Sequence, residues 1–507
     1  MASRLTRVHP LLVGVSVTLL LLVGASRPNA AQPDLFPHGW APGSLVPVTL
    51  GPGAVTAVLW TAYLVGAVAV LAGLRTHAPA MRTWAVPVLL GGLALVTAPF
   101  GSADHVNYLA YGRILVGGGD PWLEAPVEWA GGADPVTSRV EEPWTTEPSV
   151  YGPFGTLLHG LAALVGGDSL RQGVWAWQVF VVLAWLVVRA VLRRVLASDL
   201  HGRVDVLWTL NPLVLGVGVL GAHIDTVAAA LVVTAVAAAA LRPDAVGAAL
   251  AGACTALAAS TKLTYAVVGV AVITGWWVVG HRSALLARLV GSLLAALAVV
   301  AGALHAWAGP HVFDQLERSR RAVSLATPWR PVLEWGRDTV GDDTARFGIG
   351  MAAAVVAVVL AACLLMVSRP ALPVPTQPDP APTSAPERLA AIALWVTACL
   401  ALAYSLAAPY SLPWYDLLVW CALPAVLPGL VDLVALARLT ASALAYVPGR
   451  VLGMTPAVED LTLGVRRGVV PWVGLALWVV VIAAGVRTWS RRPPVPRPAG
   501  RTSPPTR

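Results

Sequence analysis

The sequence predicts an all-α polytopic membrane protein, and three observations carry that prediction. Of 507 residues, 57 % belong to the AVILMFWYC set and only 12 % are Asp, Glu, Lys or Arg. A soluble protein is about a quarter charged, because charge must cover its surface. Mean hydropathy is +0.72, and the apolar residues fall into long runs, so the solvent for most of the surface is lipid. The third observation is where the charge sits. Arginines collect in short connections between apolar runs, as the positive-inside rule requires. The net charge of +8 therefore reads as membrane topology, and nucleic acid is not expected as a partner. Cys254, Cys363, Cys399 and Cys421 lie inside apolar runs without metal-ligand spacing, so they read as small buried hydrophobes and no metal site is expected.

A span needs about 20 apolar residues. Runs near 10–25, 52–73, 84–99, 173–197, 204–220, 223–241, 244–261, 264–280, 284–308, 346–368, 388–408, 413–437 and 468–488 satisfy that length closely enough to predict roughly 12–14 transmembrane helices. Residues 1–99 hold the N-terminal helices. The first run follows Arg4 and Arg7 and precedes Pro28-Asn29-Ala30-Ala31, so it is either a signal peptide or an uncleaved first helix. Arg75 and Arg82 put the next connection in the cytoplasm, which turns 100–172 outward as a large first loop. Its many acids, from Asp104 to Glu147, fit the outside. The stretch 151–166 is short and opens Tyr151-Gly152-Pro153. Read as a non-spanning juxtamembrane helix, it returns Arg189, Arg193, Arg194 and Arg203 to the cytoplasm. Spans then fill 173–368, broken by an outer loop at 309–345. A Pro-rich cytoplasmic linker covers 369–387. More spans occupy 388–490, with one further helix near 440–455 left open, and 491–507 reads as a disordered basic tail.

Counted this way, the unusual polar elements gather on the outer face. No run carries a ladder of charges through its middle, as the midplane site of a transporter would. The arrangement suits an enzyme working where lipid meets water. In Asp104-His105-Val106-Asn107-Tyr108-Leu109-Ala110-Tyr111-Gly112-Arg113, the residues Asp104, Tyr108 and Tyr111 share one helix face. Asp104 is either the N-cap of an interfacial helix or a catalytic carboxylate. Arg318, Arg320, Arg321 and Arg330 in the 309–345 loop are either balanced by neighbouring acids or form a phosphate clamp, for which guanidinium geometry is suited. Lys262, the one lysine in the chain, either snorkels to the interface or holds a lipid phosphate. His223 and Asp225 suit a helix cap, a substrate or a metal. Trp414 and Tyr415 sit in a proline-bounded loop, where an interfacial aromatic belt is also normal. Asp-x-Asp and Walker A sequences are absent, which removes the usual signals of nucleotide-sugar and NTP chemistry.

Together these elements resemble a known family. Asp104 with Tyr108, Tyr111-Gly112-Arg113, Gly119-Asp120-Pro121-Trp122, Asp134-Pro135 and Ser149-Val150-Tyr151-Gly152-Pro153 look like the first outer loop of polyprenol-phosphomannose-dependent α-1,6-mannopyranosyltransferases of actinobacteria. Asn211-Pro212, His223-Ile224-Asp225, Thr327-Pro328-Trp329 and Pro413-Trp414-Tyr415 follow in similar order. The resemblance implies a GT-C fold in the cell membrane with its active site on the extracytoplasmic face. It implies a polyprenyl phosphomannose donor, a mannan or lipoglycan acceptor, inversion at the sugar, and no cofactor. Asp104 would be the catalytic base. Tyr108, Tyr111, Arg113, Asp120, Tyr151, His223, Asp225, Lys262, Arg318, Arg320, Arg321, Arg330, Trp414 and Tyr415 would bind substrate, and Asp120 or Glu124 would be the second loop acid. The alternatives are a transferase for another lipid-linked sugar, or a transporter or flippase for a polyprenyl-linked glycan.

Overall fold

Helices form because apolar runs in lipid must satisfy every backbone group internally. The computed structural model describes residues 2–36, 39–372, 384–450 and 452–491. Helices α1 (Ala2–Ala25), α2 (Pro52–Thr76) and α3 (Ala85–Leu95) precede the first loop, which contains α4 (Asp104–Val116) and leads into α5 (Pro153–Gly166). Then come α6 (Leu170–Val195), the short turns α7 (His201–Val204) and α8 (Pro212–Val214), and α9 (Asp225–Leu241). Next are α10 (Ala245–Ala259), α11 (Val267–Val279) and α12 (Ser283–Ala308). An outer segment carries α13 (Asp314–Arg320) and α14 (Trp329–Val340) before α15 (Asp342–Val367). The chain ends in α16 (Ala385–Ala407), α17 (Leu417–Ala422), α18 (Leu430–Tyr446), α19 (Pro456–Gly468) and α20 (Val470–Ser490). Among the described residues there are no strands, only the isolated bridges Asn29–Gln32 and Pro370–Val426.

Eight helical stretches among these residues are long and apolar enough to cross a membrane, and five further apolar helices, α3, α5 and α9 among them, are shorter. The chain is a multi-pass, all-α membrane protein. Its interior packs α16 against α9, α11 and α17, with α1 on α2 and α10 on α12. The periphery faces lipid: the apolar window of Ser283–Ala308 is only 11 % buried, against 83 % for Ala385–Ala407.

One expected element is corrected, and another is a span of unusual winding. The run 413–437 is not one span. A single helical turn at Pro413–Asp416, then α17, then a break at Leu423–Gly429 precede α18. Pro424 and Pro428-Gly429 are the reason, since proline lacks the donor and clashes with the preceding turn. The helix left open near 440–455 is the second half of α18. The run 204–220 is helical but wound in π turns at Asp205–Thr209 and Leu215–Leu220, on either side of Asn211-Pro212. Asn211 caps the following turn by accepting the N–H of Leu213 at 3.0 Å. Residues 373–383 of the expected linker and 492–507 of the expected tail lie outside the described residues.

Three of the arginines expected in cytoplasmic connections are held in ion pairs. Arg189 and Arg193 both reach Asp205 at 3.1 Å, and Arg203 reaches Asp432 at 2.8 Å. Asp432 lies near the start of α18 and Tyr446 at its end, so these points stand about 21 Å apart at 1.5 Å per residue.

Candidate active site

The site begins with α4. Gly112 lets it cross α5 closely, because a Cβ there would lie 2.3 Å from the His159 carbonyl oxygen. That crossing stacks Tyr108 on His159, ring centroids 4.6 Å apart, with Trp177 of α6 edge-on at 5.3 Å. Tyr108 is completely buried and Tyr111 nearly so, and Tyr111 donates its hydroxyl to the Glu147 carbonyl at 3.0 Å. Both expected substrate-binding rings thus pack within the first loop, and the Tyr108 hydroxyl reaches His223 Nδ1 at 3.4 Å.

Ala103, not Asp104, is the N-cap of α4, and the first N–H of the helix is taken by Ser102 Oγ at 3.2 Å. The Asp104 carboxylate turns instead toward the loop before α9, with Oδ2 3.5 Å from His223 Nδ1. It is 14 % exposed, whereas the His223 side chain is 1 % exposed. The loop presenting His223 is built with some strain, since Ala222 adopts φ 54°. Two side chains of α6 hold it there. Trp177 Nε1 donates to the Ala222 carbonyl and Gln178 Nε2 to that of Val219, each at 2.7 Å. The His223 ring lies flat on Trp414, centroids 3.7 Å apart. Beside them Phe100, Gly101, Trp414 and Tyr446 line a small recess.

The third component is a buried ion pair. Asp225, the first residue of α9, accepts from Lys262 Nζ at 2.7 and 2.9 Å and from the Tyr265 hydroxyl at 3.0 Å. The ammonium also lies over the Tyr415 ring, 4.1 Å from its centroid, and 6.0 Å from that of Tyr151. Burial raises the Asp104 carboxyl to about 7, the Lys262 charge opposing that rise and the Asp225 charge adding to it. Burial, with Lys262 and His105, holds His223 well below the usual histidine range, so its imidazole is neutral. One carboxylate thus titrates near neutrality beside a fixed cation and a neutral imidazole.

Other expected site residues lie elsewhere. Arg113 pairs with Asp134 at 2.9 Å and with Asp168 at 2.5 Å, which ties α4 to the loop around it. Asp120 Oδ2 meets His311 Nδ1 at 2.8 Å, a tie between the two outer loops, and Glu124 accepts the Asp120 backbone N–H at 2.9 Å. Arg318 faces Glu147 at 4.0 Å and donates to the Ser149 carbonyl at 3.4 Å. Arg330 pairs with Glu334 one helical turn on at 2.7 Å, and Arg321 is exposed. The Arg320 side chain lies outside the described residues. Among the described side chains Arg318 and Arg330 meet different acids, and Lys262 is the cation within electrostatic reach of Asp104. Tyr265 and Tyr446 were missed by sequence reasoning. Tyr265 stands three residues after Lys262, a helical spacing that was available as a signal, while nothing local marks Tyr446. Among the described residues, no three His, Cys, Asp or Glu side chains group as a metal site.

A family model described as "Alpha-(1->6)-mannopyranosyltransferase, N-terminal domain" matches residues 11–279. The chain is 32 % identical over 158 residues to Alpha-(1->6)-mannopyranosyltransferase A of Mycobacterium tuberculosis (strain ATCC 25618 / H37Rv), a segment covering 29 % of this chain and 28 % of that protein. It is 28 % identical over 100 residues to Alpha-(1->6)-mannopyranosyltransferase A of Corynebacterium glutamicum, covering 19 % of this chain and 20 % of that one. The chain thus matches less than a third of the length of these curated relatives. The family match is broader: it takes in more than half of the chain, including α4 with Asp104 and the turns that carry His223, Asp225 and Lys262, and by it the chain belongs to the alpha-(1->6)-mannopyranosyltransferase family.

Proposed function

We propose that this protein transfers mannose from a polyprenyl phosphomannose donor to a mannan or lipoglycan acceptor on the extracytoplasmic face of the cell membrane, with inversion. The observation that carries the reading is that Asp104, beside His223 and raised to about 7, lies within electrostatic reach of Lys262, an ammonium held by Asp225 among aromatic rings. In the reaction the acceptor hydroxyl oxygen attacks the anomeric carbon and the bond from that carbon to the phosphate oxygen breaks. The bonding pair leaves with the polyprenyl phosphate, and the acceptor proton passes to Asp104. The phosphate is a good leaving group without protonation, so the protein's tasks are proton removal and charge stabilisation. Asp104 does the first and Lys262 the second. The domain division of the reading keeps 100–172 as the catalytic loop and 309–345 as its outer companion.

Radiolabelled polyprenyl phosphomannose and a short α-1,6-mannan, incubated with the purified protein, should give an extended chain. Label that stays on the lipid would refute the transfer, and label from another lipid-linked sugar in the product would reassign the donor. The pH dependence follows from Asp104. A base must be deprotonated, so kcat/KM should rise with pH to a midpoint near 7 and level off above it. A rate already flat from pH 5 to 8 would exclude this carboxylate as the base.

Topology is tested separately. The outer reading of α4 and of 309–345 is supported by the separation along α18 between the Arg203–Asp432 pair and Tyr446 beside Trp414. In a cysteine-free background, cysteines replacing the exposed Glu128 and Asp338 should react with an impermeant thiol reagent on intact cells, and one replacing the exposed Arg282 should not. Protection of either outer position would break the one-face arrangement.

A further inference from the structure

His223 has three polar neighbours and one flat support. Nδ1 lies 3.5 Å from Asp104 Oδ2 and 3.4 Å from the Tyr108 hydroxyl, while Nε2 lies 3.4 Å from Ser102 Oγ. The Trp414 stack, interplanar angle 12°, sets the plane of the ring. A neutral imidazole carries one proton, and its surroundings decide on which nitrogen. Ser102 Oγ already accepts the backbone N–H of Asp104 at 3.2 Å, which turns the serine's own proton toward Nε2. The opposite tautomer would aim a ring lone pair at the Asp104 carboxylate, a repulsion within a nearly dry site. Both arguments put the proton on Nδ1.

We infer that His223 is a positioning residue, an Nδ1–H donor that holds Asp104 Oδ2 and directs the other carboxylate oxygen at the acceptor hydroxyl, with Ser102 selecting the tautomer. The inference rests on Asp104 being the base. The Tyr108 hydroxyl shares Nδ1 at 3.4 Å and is electrostatically coupled to Asp104. Lys262 and Asp225 act on Asp104 through charge, and Lys262 is held by Asp225. Tyr111, on the same helix, donates to the Glu147 carbonyl, and Tyr151, Tyr410 and Tyr446 face the carboxylate from other elements. His105, adjacent in α4, bears on His223 by charge alone.

Asn and Gln variants separate the two nitrogens, because the Asn amide superposes on Nδ1 and the Gln amide on Nε2. In the mannosyl-transfer assay, His223→Gln should lower kcat by about 10- to 100-fold, the range of a hydrogen bond to a charged group. Its KM for donor should be unchanged, and the rising pH limb should move upward because the carboxylate has lost a donor. His223→Asn should restore most of kcat and the normal limb, even where loss of the Trp414 stack lowers thermal stability. Ser102→Ala should shift the limb in the Gln direction, by less. Equal rates and limbs for the Asn and Gln variants would overturn the inference. Asp104→Asn is run alongside: if it transfers normally, the base assignment itself has failed, whereas an inactive Asp104→Asn with a normal His223→Gln removes only the role of His223.

Discussion

Asp104→Asn is expected to lower the transfer rate by about 10²–10⁴-fold, the usual contribution of a general base, while the protein still inserts and binds donor. The substitution keeps side-chain volume and removes the carboxylate proposed to take the acceptor proton. A structural role for Asp104 at the helix end predicts the contrary, because Asn serves a helix start nearly as well as Asp. The structure sharpens the contrast, since Ala103 occupies the cap position and the Asp104 carboxylate faces His223. The check is single-turnover transfer at saturating donor, with membrane content matched by immunoblot. Near-normal transfer would remove Asp104 from the chemistry and send the search to Asp225, the other carboxylate beside Lys262.

Lys262→Ala is the second large effect. It removes the cation and leaves Asp225, which is fully buried, as an unpaired charge. Breaking a buried pair from one side costs about 3–5 kcal/mol, so reduced insertion is expected together with lost activity. The double variant Lys262→Met/Asp225→Asn relieves that charge and isolates the function: donor binding should weaken by about 10- to 150-fold, equivalent to about 1.5–3 kcal/mol for a charge-assisted hydrogen bond. The comparison is Arg330→Ala. Its pairing with Glu334 lies on a helix surface, where such pairs contribute about 0.3–0.5 kcal/mol, and donor affinity should be unchanged. Equal donor affinity in the double variant and the parent would leave Lys262 without a role in phosphate binding.

The parts of this architecture that were legible in the sequence are those determined locally. Hydropathy marks α1, α2, α6, α12, α15 and α16, because a span is a contiguous property of the chain. The Asp104, Tyr108 and Tyr111 spacing places all three on α4, again within four turns. What those tyrosines touch is a different matter, since Tyr108 is covered by His159 and Trp177 from two other helices. Arg113 shows the same limit: nothing in its flanks marks Asp134 and Asp168 as partners. The sequence left the outer arginines open between a clamp and balanced charge, since clustering along the chain does not fix partners in space, and Arg318 and Arg330 meet different acids. Lys262 was conspicuous as the one lysine, and its tie to Asp225 required the α9–α10 hairpin to bring the ends of both helices together. The break in the 413–437 run was written in Pro424 and Pro428-Gly429, and continuous hydropathy masked it.

The flat contact between His223 and Trp414 joins an early loop to one that follows α16, and it bears on how the protein is made. Membrane proteins enter the bilayer in the order in which they leave the ribosome. When the helices up to residue 279 have been threaded, Asp104, His223 and Lys262 are all present, but the indole on which the imidazole rests has not yet been synthesised. The nascent chain thus holds these side chains in the bilayer before the surface that fixes the plane of the imidazole exists.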